Sequence, residues 1–73
     1  MNVVEITGWR QGFNKVACTS TLCSLAGVSL VEGKRITDAV LDGQVQRITL
    51  ASEQEASRLV EFLTMHGAVA YVA

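Results

Sequence analysis

Residues able to carry nucleophilic or acid–base chemistry are few in this sequence. The chain has one histidine, His66, and two cysteines, Cys18 and Cys23, and the histidine falls in a different predicted element from both thiols. A nucleophilic cysteine needs a neighbouring base, and that base needs a third group to orient it. No such orienting group can be identified here, so the sequence favours a protein that is not an enzyme.

Metal and cofactor sites are not predicted either. Cys18 and Cys23 are five residues apart, and a helix turns side chains at that spacing about 140° from each other. This spacing disfavours a mutual disulfide and is not that of a Cys-x-x-Cys pair. A metal site would need both thiols and His66 to converge from distant positions. Gly8 and Gly12 belong to no phosphate-binding pattern, and we expect no cofactor.

Length and composition limit the architecture and the partners. The 73 residues are 49% apolar and 18% charged, with a net charge of −1. We therefore expect a single globular domain over 1–73. The basic residues are scattered and form no run that would follow a nucleic-acid backbone. No apolar run approaches the roughly 20 residues of a membrane-spanning helix, and no secretory signal is visible, so we expect a cytoplasmic protein.

Capping signals predict the first two helices. Asn14 is a favourable N-cap, because its side chain can accept a hydrogen bond from an unpaired backbone N–H. Gly27 ends the first helix, as glycine does where the backbone turns left-handed. Ser29 and Glu32 form a capping box that begins a second helix, which we expect to end near Leu41.

The remaining elements complete a mixed fold. Ser52 and Glu55 form a second capping box for a third helix, which closes at His66 and Gly67. Alternating or β-branched segments predict strands over 2–7, 45–50 and 68–72, with a loop around Trp9. The predicted fold is α+β, a two-layer β-α-α-β-α-β arrangement with three helices on one face of a three-stranded sheet.

Gly33 interrupts the second helix at a cost of about 1 kcal/mol relative to alanine, which indicates close packing against a neighbour.

Apolar spacing predicts which helix faces are buried. The apolar positions recur at helical spacing. The expected inner faces are Val16, Leu22, Leu25 and Ala26 in the first helix, Leu30, Ile36 and Val40 in the second, and Ala56, Leu59, Val60, Leu63 and Met65 in the third.

Two segments carry a resemblance to a known family. The C-terminal domain of the bacterial ribosomal stalk protein begins its first helix with Asn-Lys-Val-Ala and breaks it with Gly-Leu-Gly-Leu-Lys-Glu-Ala-Lys. This chain resembles it at 14–17 and 27–34, with the same spacing, and again at 65–68. The segments here are Asn14-Lys15-Val16-Ala17, Gly27-Val28-Ser29-Leu30-Val31-Glu32-Gly33-Lys34 and Met65-His66-Gly67-Ala68. The resemblance implies the same fold class, which also includes the ClpS-type protease adaptors.

The resemblance implies protein binding through the first two helices. In the stalk family these helices present basic residues that recruit translational GTPases. Lys15 and Lys34 fall on matching positions, whereas Ser20 and Cys23 replace two further cations. The partner implied is a translational GTPase or ribosomal component. The stalk family's dimerisation domain and hinge have no counterpart in this sequence, so we expect a divergent stand-alone member.

The predicted docking surface is the first helix, the break after it and the start of the second helix. The small side chains Ala17, Ser20, Thr21 and Ser24 are either a plain solvated face or a face that lets a partner approach closely. Two alternatives stay open: a homodimer that pairs its own helical faces as a structural or regulatory subunit, and a protease adaptor. The adaptor pattern Asn-Asp-Asp is absent before the first helix. The chosen residues are Lys15, Ser20, Cys23, Val28, Val31 and Lys34.

Trp9 and Arg10 form a secondary candidate site. An exposed tryptophan beside an arginine is typical of binding hot spots. The competing interpretation, which we favour, is that Trp9 folds back and covers the edge of the small core.

Overall fold

Six regular elements make up the computed structural model, which describes residues 2–73. In chain order they are β1 (Val3–Trp9), α1 (Lys15–Ala26), α2 (Leu30–Leu41), β2 (Gln46–Thr49), α3 (Glu53–Met65) and β3 (Ala68–Val72). The predicted α+β fold is confirmed, since three helices pack on a three-stranded antiparallel sheet in the order β-α-α-β-α-β. Within residues 2–73, no helix is long and apolar enough to cross a membrane.

The first strand lies at the centre of the sheet. The strand order is β2-β1-β3, and β1 is antiparallel to both neighbours. Glu5 in β1 is paired with Arg47 of β2 on one side and with Tyr71 of β3 on the other. Both outer strands therefore run in the same direction, and α3 connects them across β1.

The helices form a layer in which α1 is held between its neighbours. The second helix packs on β1 and β2, the third packs on β1 and β3, and α1 packs mainly against α2 and α3. Burial of apolar side chains between these layers is the main stabilising contribution to such a fold. The largest fully buried side chains are Leu22, Leu59, Leu63, Val4, Val40 and Cys18.

Each helix begins at the predicted capping residue. The side chain of Asn14 accepts from the N–H of Ala17 at 3.0 Å. Ser29 and Ser52 do the same for the third residue of α2 and α3, each at 3.1 Å. Gly27 ends α1 with a φ of 69°, in the left-handed region that glycine adopts without strain.

Two strand boundaries differ from the sequence prediction. The first strand continues through Gly8 to Trp9, so the predicted loop at Trp9 is wrong. The cause is pairing: Trp9 faces Ala68 of β3, past an irregularity in register between Ile6 and Gly8. The second strand covers only Gln46–Thr49 and is shorter than predicted.

Three apolar residues assigned to the buried helix faces are exposed. Val16 is 79% exposed, Met65 64% and Leu30 57%. Val16 and Met65 each lie six residues from a buried leucine, Leu22 and Leu59, which at 3.6 residues per turn places them about 120° away from it. Leu30 is the first residue of α2 and lies at the rim of the groove described below.

Candidate protein-docking groove

The first two helices approach each other closely at Gly33. A Cβ atom at this position would lie 3.3 Å from Cγ2 of Thr19 and 3.4 Å from its carbonyl oxygen. The hydroxyl oxygens of Thr19 and Thr37 lie 3.0 Å apart in the same interface. Thr37 is also placed to donate to the carbonyl of Gly33 at 3.2 Å. This close contact fixes the geometry of the surface that α1 and α2 share.

A groove of about 730 Å³ opens beside this contact. We call it the α1/α2 groove. Its surface is mainly apolar, and two lysines are among its lining residues. Such concave, largely apolar sites are where proteins bind ligands and peptide segments. The lining residues are Lys15, Val16, Thr19, Ser20, Cys23, Val28, Leu30 and Lys34.

The groove brings together most of the residues chosen from the sequence. Val31 is the exception, because it is 80% exposed on α2 and does not line the groove. Val16 and Leu30 line it but were not chosen, because their apolar character had assigned them to the core. An apolar residue out of phase with the buried stripe was the signal that would have identified Val16. The chosen residues in the groove are Lys15, Ser20, Cys23, Val28 and Lys34.

The two groove lysines differ in their charge partners. Lys15 forms an ion pair with Asp38, and both side chains are about half exposed, so this pair contributes little to stability. Within residues 2–73, Lys34 forms no ion pair. The neighbouring Arg35 is held by Glu32 through two hydrogen bonds of 2.7 and 2.8 Å, and this contact lowers the pKa of Glu32. Of the two groove lysines, Lys15 therefore has a counter-ion in Asp38, whereas Lys34 has none among residues 2–73.

A second, smaller groove lies on the other side of α1, against α3. Its volume is about 360 Å³, and Ser20 lines both grooves. The predicted small-residue face lies here, with one correction: Thr21 is only 8% exposed, because it turns towards the helix interface. The lining residues are Ala17, Ser20, Thr21, Ser24, Leu25, Phe62 and His66.

Trp9 and Arg10 lie outside both grooves. Trp9 is 49% exposed, and its ring centroid lies 6.4 Å from that of Phe13. Phe13 is among the partly buried apolar residues that pack against the core, and Trp9 is not. Whether Trp9 covers the edge of the core or acts as a binding anchor stays a prediction. The Arg10 side chain is exposed, while its backbone N–H donates to the carbonyl of Gly67 at 2.8 Å.

The thiols have different environments. Cys18 is buried, and burial raises its pKa to about 11, which keeps it a protonated, unreactive thiol. Its sulfur lies 3.8 Å from the backbone carbonyl of His66. Cys23 is half-buried in the α1/α2 groove, and neither cysteine forms a disulfide. In the described part of the chain, no three His, Cys, Asp or Glu side chains converge as a metal site would require.

Comparison of the chain with protein-family models, with curated proteins and with solved structures returned no match. The likeness to the ribosomal stalk domain therefore rests on the quoted sequence segments alone.

Proposed function

We propose that this domain is a non-enzymatic protein-binding module that docks a segment of a partner protein in the α1/α2 groove. The observation that carries the proposal is the convergence of Lys15, Ser20, Cys23, Val28 and Lys34 on one apolar groove. These residues come from two helices and from the break between them.

The lining of the groove defines the chemistry of the partner. Val16 and Leu30 are exposed apolar side chains at the groove. Covering them with apolar side chains of a ligand would remove apolar surface from water and so favour binding. Lys34, and Lys15 beside its own counter-ion Asp38, favour carboxylates. The occupant is therefore a segment with apolar residues next to Asp or Glu. Charge complementarity of this kind raises the association rate and selects the partner.

The partner class to test first is a translational GTPase or a ribosomal component. The stalk resemblance supports this choice, with Lys15 and Lys34 at the matching positions. Ser20 and Cys23 stand where the stalk family has cations, so the electrostatic attraction to an acidic partner is weaker than in that family.

The test compares two valines of similar exposure. Val16 and Val31 are 79% and 80% exposed, but only Val16 lines the groove. We expect a purified bacterial translational GTPase to bind the wild-type domain in a titration followed by calorimetry. Val16→Glu and Lys34→Glu should each weaken binding about tenfold or more, whereas the matched control Val31→Glu should bind like wild type. Ser20→Glu is less informative, because Ser20 borders both grooves.

Two outcomes would reject parts of the proposal. Equal binding by Val16→Glu and Val31→Glu would exclude the groove as the docking site. If the wild-type domain does not bind the GTPase, the proposed partner class is rejected. A displayed peptide library selected on wild type and counter-selected on Val16→Glu would then test the groove directly. Failure to enrich segments that combine apolar and acidic residues would reject protein docking there.

A further inference from the structure

The two edges of the sheet differ in their protection against pairing. The β2 edge is four residues long and carries the exposed side chains of Arg47 and Thr49. The β3 edge, Ala68–Val72, has no charged residue and no proline, and its Tyr71 and Val72 are exposed at 47% and 38%. Natural proteins protect free edges with short strands, charges and proline. The β3 edge is five residues long and carries neither a charge nor a proline.

The backbone of β3 has a defined set of outward-facing groups. The N–H of Ala73, directly after the strand, donates to the carbonyl of Val3 at 2.8 Å. The backbone N–H and C=O groups of the odd-numbered residues of this strand therefore point towards β1. In an antiparallel pair, alternate residues direct both N–H and C=O to the same neighbour. Ala68, Ala70 and Val72 therefore direct theirs away from the sheet. Within residues 2–73, no strand pairs with this edge.

We propose that β3 pairs antiparallel with β3 of a second copy of the chain, about a two-fold axis at Ala70. Ala70 would exchange both backbone hydrogen bonds with Ala70 of the second copy, and Ala68 would do the same with Val72. Three such pairs give about six hydrogen bonds. The contact uses the same patch on both copies, as a two-fold interface requires, and the two sheets become one of six strands.

The side chains fit this register. Ala70 at the axis leaves room for close strand approach. Val69 and Tyr71 share the outer face of the sheet, because side chains alternate along a strand. In this register Val69 lies opposite Tyr71 of the second copy, and an aromatic side chain opposite a β-branched one is a favourable cross-strand pair. The hydroxyl of Tyr71 donates to Glu5 of its own chain, which fixes the ring position.

Charge does not oppose the association. The β3 segment is uncharged, and the nearest carboxylate across the sheet, Glu5, is neutralised by Arg47. Two copies with a net charge of −1 each repel weakly at physiological ionic strength. None of the groove residues belongs to β3, so each copy keeps its α1/α2 groove accessible. A dimer would present two grooves, and bivalent contact increases the apparent affinity for a partner with two docking segments.

The experiment uses proline at matched edge positions. The N–H of Leu50 donates to Asn2 at 2.8 Å, so the N–H of Thr49 faces away from the sheet on the β2 edge, as that of Ala70 does on β3. We expect wild type to sediment as a dimer at equilibrium. Ala70→Pro removes two hydrogen bonds and should raise the dimer dissociation constant about 30-fold or more. Thr49→Pro should leave the constant unchanged.

A second variant keeps the test valid if Ala70→Pro fails to fold. Val72→Lys introduces an edge charge of the kind that blocks strand pairing, and it should also produce monomers with the wild-type circular dichroism spectrum. A wild-type chain that remains monomeric up to about 1 mM would overturn the proposal. A dimer that persists in folded Ala70→Pro and Val72→Lys would also overturn it, because the copies would then pair through another surface. These results do not depend on partner binding in the α1/α2 groove, which is measured separately with the Val16→Glu variant.

Discussion

The hydroxyl oxygen of Thr19 in α1 lies 3.0 Å from that of Thr37 in α2, and both side chains are buried. Thr37 has a further hydrogen-bond partner, because its hydroxyl also lies 3.2 Å from the carbonyl of Gly33. The Ser/Thr-rich sequence of α1 is therefore not only a solvated face. Part of it is a polar contact that holds the two helices of the groove together.

Removing one hydroxyl of this pair should have unequal effects. Thr37→Val leaves the buried Thr19 hydroxyl without its partner, and we expect a loss of about 1–3 kcal/mol in the free energy of unfolding. Thr19→Val should cost less, because Thr37 keeps the carbonyl of Gly33. Urea denaturation of both variants measures the difference.

The double variant Thr19→Val/Thr37→Val is the control for this asymmetry. Two apolar groups of similar shape leave no buried hydroxyl unpaired, so the double variant should be less destabilised than the sum of the single ones. Strict additivity would mean that the two hydroxyls do not interact.

Gly33 is a second determinant of the α1/α2 distance. Alanine favours the helix by about 1 kcal/mol relative to glycine, but its Cβ would lie 3.3 Å from Cγ2 of Thr19. Since these effects oppose each other, we expect Gly33→Ala to stay within about 1 kcal/mol of wild type. Gly33→Val should lose about 1–3 kcal/mol or more through overpacking. Thermal and urea unfolding check both values, with the exposed Lys34→Ala as control. A Gly33→Val variant as stable as wild type would show that α1 can move away freely.

Local signals explain why the element order could be predicted. Asn14, Ser29 and Ser52 accept backbone N–H groups within their own helix starts, and such contacts depend on a few adjacent residues. The length of β1 could not be predicted in this way. Trp9 belongs to the strand because it pairs with Ala68, which is 59 residues away in the sequence.

The sequence predicts a docking surface on the first two helices, and five of the eight groove residues belong to that prediction. Lys15, Ser20, Cys23, Val28 and Lys34 were selected by their place in the first helix pair, and they do meet at one groove. Apolar residues are harder to assign, because an apolar side chain in a helix fits either the core or a docking surface. The choice depends on which way α1 is rotated between α2 and α3, and only the packed structure shows that rotation.

The ion pair between Lys15 and Asp38 provides a test of groove electrostatics. Asp38→Asn removes the counter-charge of a groove lysine, so an acidic ligand should associate a few times faster at low salt, with little change in dissociation rate. Stopped-flow binding of the GTPase, or of a selected acidic peptide, measures the rates. Asp42→Asn makes the same change in net charge outside the groove and should have a smaller effect. Equal rates in both variants, or rates independent of salt, would contradict a role for Lys15.

Arg47, Glu5 and Tyr71 form a row of hydrogen-bonded side chains across the three strands. The dependence of the unfolding free energy on acid pH should show how much this row contributes to stability. The carboxylate of Glu5 accepts hydrogen bonds from Tyr71 and from Arg47, the latter at 2.7 Å. These contacts, that of Tyr71 first, lower the pKa of Glu5 below its ordinary value of 4.5. A carboxyl whose pKa is lower in the folded state stabilises the fold above its unfolded pKa. This stabilisation is lost as the pH falls through the folded pKa.

We therefore expect the unfolding free energy of wild type to fall as the pH drops below about 4.5, and Glu5→Gln to flatten this decline. Tyr71→Phe removes the largest contribution but keeps the Arg47 pair, so its pH dependence should lie between those of wild type and Glu5→Gln. Glu32, whose pKa Arg35 lowers, titrates in the same range, and Glu32→Gln separates its share. Urea unfolding at a series of pH values measures all four proteins. If wild type and Glu5→Gln show the same pH dependence, the row across the three strands does not contribute to stability.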